Sequence, residues 1–489
     1  MSEKIRFNDT TLRDGALSLW ASNLTTEMIL PVLERMDRAG YEAIELVGSS
    51  FFKKAVRELR DEPWQRIREV AARLEQTPLR MMASRINTFN YDPPSMFRRC
   101  LELVKENGID ELRFLDPWNE VAGMRRRVEL ALECGLRPIM SITFSVSPRH
   151  TDEYFAERVR AAAKMPVYRL CLKDPGGLLT PDRMQTLAPI FLENAGGVPA
   201  EFHTHCTTGL GPLSALEAIK AGFRSIDTAI PPLADASSNP SIFNIAANAR
   251  ALGFEPLIDE DALRPVSEHF LAIAERHGFT VGAPLHYDQA QFQHQIPGGM
   301  ISNLKHQLGL VGLEDKLAEA LEETARVRAE LGYPIMVTPL SQFVGSQAVI
   351  NVIVGERYRE VTDQTIDYAL GRYGEEAVRE MDADVRDKIL DRKRARELIA
   401  QEPSDPSLGE MREKFGGPDI SDEDLFLRWV TSPEEVDALR NPGSGGTAFS
   451  AEQQLLTLIE ELAKRSDCNR IWVRKPGLSV RLENRNAAP

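Results

Sequence analysis

The chain is 489 residues long, with 43% hydrophobic and 27% charged residues and a formal net charge of −14, the make-up of a water-soluble protein with room for two or three domains. The acidic balance argues against nucleic acid as the main partner, and five scattered cysteines without a CxxC pair exclude a disulfide framework and fit a reducing compartment. The stretch MSEKIRFNDTTLRDG has no secretory apolar core and no run approaches the roughly 18 apolar residues of a membrane helix, so a cytoplasmic location without a membrane segment is expected.

Short β-branched or apolar runs alternate with longer amphipathic ones. The expected strands are IRFND (5–9), AIELVG (43–48), RMMAS (80–84), ELRFLD (111–116), PIMSITFS (138–145), YRLCLKD (168–174), AEFHTH (200–205) and SIDTAI (225–230). Helical stretches such as TTEMILPVLERMDRAG and MFRRCLELVKENG lie between them, each closed by a glycine suited to a helix C-terminus. Such strand–helix units within residues 1–255 predict an α/β fold, a (β/α)8 TIM barrel, with a doubly wound open sheet as the alternative.

Beyond about residue 255 the strand signals fade. HYDQAQFQHQIPGGMISNLKHQLGL, LEDKLAEALEETARVRAELG and two long charged helices through about 400 read as a mainly helical domain, 256–440. NPGSGGTAFS (441–450) reads as a linker, and 441–489 as a tail with one amphipathic helix, AEQQLLTLIEELAKR, and a short strand-like end. That helix is read as docking a partner or packing on its own chain.

In a TIM barrel, chemistry sits at the C-terminal ends of the strands. Strand 1 is read as ending in Arg13-Asp14, strand 6 in Lys173-Asp174, and strand 7 in His203-Thr204-His205. Two histidines at i and i+2 on a strand share a face. With a carboxylate nearby they make a divalent transition-metal site; hydrogen-bonded interior histidines are the bland alternative.

DTTLRDG (9–15), LCLKDPGGLLTP (170–181), HTHCTTG (203–209), IPGGMISNL (296–304) and VTPLSQFVGSQAV (337–349) together resemble the carboxyltransferase component of pyruvate carboxylase, oxaloacetate decarboxylase and transcarboxylase. That component is in turn similar to metal-dependent barrel lyases. The resemblance runs from about residue 6 to about 435. It implies that Asp14, His203 and His205 hold a divalent metal (zinc, manganese or cobalt), joined by Lys173 once CO2 has carbamylated it. It implies that Arg13 stabilises enolate oxygen charge and that Thr338 shuttles a proton between biotin and substrate. A structural ion pair for Lys173, a mouth-closing salt bridge for Arg13 and a buried capping hydroxyl for Thr338 are the competing readings. The implied activity moves CO2 between biotin and a carbonyl compound, in either direction. The implied assembly is a homodimer working with a biotin carboxyl carrier protein and a biotin carboxylase subunit. No AMKM motif or Gly-rich ATP module occurs in the sequence, so carrier and carboxylase are expected on separate chains.

The acceptor pocket departs from the family. Leu17 stands where a glutamine helps hold the substrate carboxylate. In ASRINTFNY, alignment on Asn87 and Tyr91 puts Ser84 at the anchoring arginine's position, with Arg85 one place on; a one-residue shift on a strand turns a side chain to the opposite face. ELVGS replaces a tryptophan-bearing ELWGG-like segment, and Cys206, a packing residue or a reactive thiol, follows the second histidine in place of aspartate. Losing an ionic, bidentate anchor costs about 2–5 kcal/mol of binding, so the expected acceptor is not pyruvate in the usual pose. Leu17, Ser84, Arg85 and Tyr91 are the candidate substrate-binding residues. A carbon–carbon lyase or condensing enzyme of the same barrel is the alternative enzyme, and a non-catalytic scaffold protein the third reading.

Overall fold

A computed structural model describes residues 2–83, 85–86, 92–296, 308, 313–400, 405–441, 470–475 and 478–483. Eight parallel strands close on themselves: β1 (Lys4–Asp9), β2 (Ala43–Gly48), β3 (Leu79–Met82), β4 (Glu111–Leu115), β5 (Arg137–Thr143), β6 (Arg169–Asp174), β7 (Ala200–Thr204) and β8 (Ser225–Thr228). They run in sequence order, with β1 bridging β8 and β2. A two-residue strand, Glu255–Pro256, adds to the start of β1. The expected barrel is therefore present, and each strand lies within two residues of its expected bounds.

The helices deviate more. TTEMILPVLERMDRAG is split into Thr26–Ile29, a tight turn Leu30–Val32 and Leu33–Arg38, because Pro31 has no N–H to continue the first helix. In place of the two long charged helices expected up to residue 400 stand the apolar helix Leu340–Val354 and four short ones, Asp363–Ala369, Glu375–Glu380, Ala383–Leu390 and Lys393–Ile399. Gly355, Gly371 and Gly374 at positive φ and capping Thr362 and Asp382 punctuate that stretch. HYDQA (286–290) lacks helix, and between residues 286 and 296 the helix is Gln291–His294. Most of IPGGMISNL and all of AEQQLLTLIEELAKR lie outside the described residues. The strand-like end is a pair, Arg470–Lys475 antiparallel to Leu478–Glu483. Among the described residues no helix is long and apolar enough to cross a membrane.

Packing divides the chain differently from the linear reading. The barrel's core takes in Leu263, Val266 and Phe270 of helix Glu260–His277, and Phe426, Leu427 and Val430 of helix Asp422–Val430. Phe426 meets Phe52 and Trp64 with ring centroids 4.9 and 5.2 Å apart. A separate core spans Ile296 to Leu398 and includes Trp118 from the loop after β4. The connection from the second core to the barrel mouth is short: Ile335 and Val337 pack on Leu115 and Met82, at the ends of β4 and β3.

Behind β5, His150 is buried against Tyr154, its Nδ1 2.6 Å from the Ser147 hydroxyl. Burial, reinforced by Arg328, Arg149 and Arg158, pushes its pKa from 6.5 down to about 3. The folded state then refuses a proton that the unfolded chain accepts below pH 6.5, so this group's contribution falls as pH falls. Between pH 6.5 and 5 the wild type should lose about 1.6 kcal/mol that a His150→Gln variant keeps. Urea titrations of both proteins at the two pH values check this, and an unchanged stability gap would contradict it.

Candidate functional site

Arg13 and Asp14 lie past the end of β1, on the wide π-helical turn Thr11–Gly15, and not on the strand end expected from the sequence. Such turns insert a residue into the helical ladder and cluster at functional sites. Here the turn aims the Asp14 carboxylate across the mouth. Its Oδ2 lies 3.3 Å from Nε2 of His203 and 3.4 Å from Nε2 of His205. Lys173 Nζ, from β6, is 2.8 Å from His203 Nε2 and 3.9 Å from Asp14. The ligand atoms of Asp14, His203 and His205 lie within 4.8 Å of one another.

The other ring nitrogens explain why these three fit a divalent ion. His203 Nδ1 is 2.7 Å from the Asp227 carboxylate, and His205 Nδ1 is 2.7 Å from the Ser237 carbonyl. Each acceptor fixes the proton on Nδ1 and leaves the Nε2 lone pair facing Asp14, the outer-shell pattern of metal-binding histidines. Burial, with Lys173 adding to it, pushes His203 down to about 3 despite Asp227, so its imidazole stays neutral. Burial alone would raise Asp14, but Arg13, His205 and Lys173 outweigh it and hold the carboxyl well below its usual range. One anionic oxygen and two imidazole nitrogens, aimed at one point, suit a borderline divalent cation.

Lys173 is buried, and desolvation lowers its pKa; Arg13 and Arg113 act with burial, while Asp14 and Glu45 oppose it. Arg13 gives its guanidinium to Asp14 at 2.8 Å and to Glu45. It therefore fills the bland salt-bridge role whatever else it does. Thr338 is exposed and caps no helix, which removes the buried-cap alternative. The residues just before it are those seated on the ends of β3 and β4, which sets it beside the mouth.

The substrate candidates separate. Leu17, on helix Ala16–Trp20, is 44% exposed and shares a cleft with Arg13. Arg85 turns to the second core: its Nη2 donates to the Arg372 carbonyl at 3.0 Å and its guanidinium lies 4.8 Å from the Tyr373 ring. Ser84 and Tyr91 lie outside the described residues. Cys206 is buried with its thiol pKa pushed well up by burial and Asp235, as fits a packing residue.

Two site residues are absent from the candidate set read from the sequence: Glu45, which receives Arg13, and Asp227, which orients His203. Each is a single acid inside an apolar strand, AIELVG or SIDTAI. A lone buried acid in such a run requires a partner, and that is the signal the sequence offers.

Sequence models of two families match the chain: "HMGL-like" over residues 4–269 and "Conserved carboxylase domain" over 292–434. A pyruvate carboxylase subunit of Methanocaldococcus jannaschii is 35% identical over 374 residues, 76% of this chain and 66% of that protein. The 2-oxoglutarate carboxylase large subunit of Hydrogenobacter thermophilus is 33% identical, over 76% of this chain and 58% of its own length. The chain thus spans two thirds or less of these two relatives. The methylmalonyl-CoA carboxyltransferase 5S subunit of Propionibacterium freudenreichii subsp. shermanii is 30% identical over 82% of this chain and 79% of that one. The carboxyl transferase domain of Rhizobium etli pyruvate carboxylase superposes with a TM-score of 0.81, over 91% of this chain and 78% of that one, at 23% identity; this is a likeness of fold.

Proposed function

This chain belongs to the carboxyltransferase family of the biotin-dependent carboxylases, and we propose that it moves CO2 between carboxybiotin on a separate carrier protein and a small carbonyl compound. The observation that supports this most is the meeting of Lys173 with Asp14, His203 and His205.

A divalent ion held by Asp14, His203 and His205 supplies Lewis-acid polarisation of a carbonyl oxygen. The chain's own groups do the rest. Lys173, whose pKa burial lowers, adds to CO2 as the free amine and releases a proton, and the resulting carbamate is an anionic oxygen donor. Arg13 stays charged between its two acids, and its fork of donors stabilises oxygen charge developing at the mouth. The exposed Thr338 hydroxyl passes a proton between the acceptor carbon and the biotin ring. Leu17 and Ser84 in place of the family's anchors, and an Arg85 engaged by Arg372 and Tyr373, support an acceptor other than pyruvate in the usual pose. The expected partners are a biotin carboxyl carrier protein and a biotin carboxylase subunit, with a homodimer as the working assembly.

The test is purification from the native host under mild conditions, followed by a streptavidin probe of the co-purifying chains. A stoichiometric biotinylated partner is the expected result. Bound metal without any biotinylated partner would overturn the proposal in favour of carbon–carbon cleavage, assayed as retro-aldol activity.

A further inference from the structure

Thr143, the last residue of β5, pairs with Lys173 of β6, and Lys173 pairs with His203 of β7. Paired residues of neighbouring parallel strands share a face, so the three form one inward row at the C-terminal end of the barrel. We propose that the Thr143 hydroxyl donates a hydrogen bond to the carbamate formed on Lys173 and so positions that group beside Asp14, His203 and His205. The inference rests on the carboxyl-transfer reading given above and adds a positioning residue to it.

The hydroxyl is the first reason. Thr143 is 0% exposed, and among the described residues its Oγ1 has no hydrogen-bond partner. A buried hydroxyl left unpaired is costly, and native interiors supply a partner for nearly every such group. When CO2 adds to the Lys173 amine, one N–C bond forms, one proton leaves to water and a carboxylate is left on Nζ. The neighbour of Thr143 then presents anionic oxygens, which accept. A hydroxyl bonded to a charged oxygen makes one of the stronger hydrogen bonds in proteins.

The backbone is the second reason. Asn119, buried and at φ +51° in the left-handed region, turns its amide onto the end of β5. Its Nδ2 donates to the Thr143 carbonyl at 2.9 Å, and its Oδ1 accepts from the Thr143 N–H at 2.8 Å. The next N–H, that of Phe144, donates to the Lys173 carbonyl at 2.7 Å. The Thr143 backbone is therefore fixed against that of Lys173, and a β-branched side chain has few rotamers from which to choose. Ser141 supplies an internal comparison. It has a buried hydroxyl with no partner among the described residues, but it pairs with Cys171, one layer below Lys173.

The test uses the full-length, metal-bound protein titrated with 13C-bicarbonate at fixed pH, the lysine carbamate being read by 13C NMR beside a thermal melt. Thr143→Val keeps the shape and removes the hydroxyl. Its half-saturating bicarbonate should rise about tenfold or more, the scale of one hydrogen bond to a charged group. Thr143→Ser should restore most of the wild-type response, and Ser141→Ala should leave it unchanged. A merely structural hydroxyl would move the melt and not the bicarbonate midpoint, and that result would overturn the assignment. So would a Thr143→Ser no better than Thr143→Val, or an equal shift in Ser141→Ala. A wild type without any carbamate signal at saturating bicarbonate would overturn the Lys173 step of the proposed function together with this role, which tells the two failures apart.

Discussion

A His203→Ala variant should lose its divalent metal almost completely, and its carboxyl transfer should fall on the order of 10³-fold, because Lewis-acid stabilisation of several kcal/mol is removed and each 1.36 kcal/mol is tenfold in rate. The fold should survive. Asp227 keeps both Arg113 contacts, at 2.6 and 3.1 Å, when the imidazole is gone, and the lost side chain is a neutral one. Metal per chain after gel filtration, read by elemental analysis beside a circular-dichroism melt, separates loss of the site from loss of the protein. Asp227→Asn is the graded companion. It leaves three ligands in place but disturbs the group that orients one of them, which typically costs 10–100-fold in metal affinity. Wild-type metal content in His203→Ala would remove the histidine pair from the site altogether.

That the histidine pair stands out in the sequence follows from a local rule. Residues at i and i+2 in AEFHTH must share a face if the run is a strand, and the barrel's regular alternation makes the strand legible. Lys173, at the end of YRLCLKD, is readable in the same way, and runs of Val, Ile, Leu and Met mark the strand bounds. The π-helical turn that carries Arg13 and Asp14 is not readable. Its conformation depends on closures such as Ile230 N–H to the Thr11 hydroxyl at 2.8 Å, between segments more than two hundred residues apart. The same holds for Arg85, whose direction is decided by a carbonyl and a ring of the second core. The broken helices after residue 354 are hidden for a different reason. Charge-rich periodicity announces helix, but length is set by glycines and caps, which interrupt the pattern without changing its period.

The least legible feature lies below the Asp14, His203 and His205 cluster and leads to the second large effect. The barrel interior is filled by an ionic layer. Arg113 meets Asp227, Glu201 and Glu45, and Arg80 meets Glu111 and Glu201, all nearly inaccessible to water. Period-2 alternation puts them there: Glu111 and Arg113 point inward from β4, and Glu201 and His203 from β7. Buried ion pairs add little net stability, but removing one partner strands the others. Arg113→Met should therefore cost about 3–5 kcal/mol in chemical denaturation at neutral pH, since Glu45, Glu201 and Asp227 would share one barrel with a single cation fewer. Burial by itself raises the Asp227 carboxyl, and Arg113 is the strongest of the groups that hold it down. Without that guanidinium, Asp227 becomes a weaker acid and its bond to His203 no longer fixes the ring so firmly. Metal affinity should fall with stability in the same variant, linking a strand-interior arginine to the chemistry above it. Adding Glu201→Gln should return part of the stability by removing one stranded charge, while the metal deficit persists because Asp227 still lacks its partner. A loss below about 1 kcal/mol in Arg113→Met, the scale of an exposed ion pair, would mean that water or rearrangement already compensates the layer and that the coupling to His203 is not carried through Arg113.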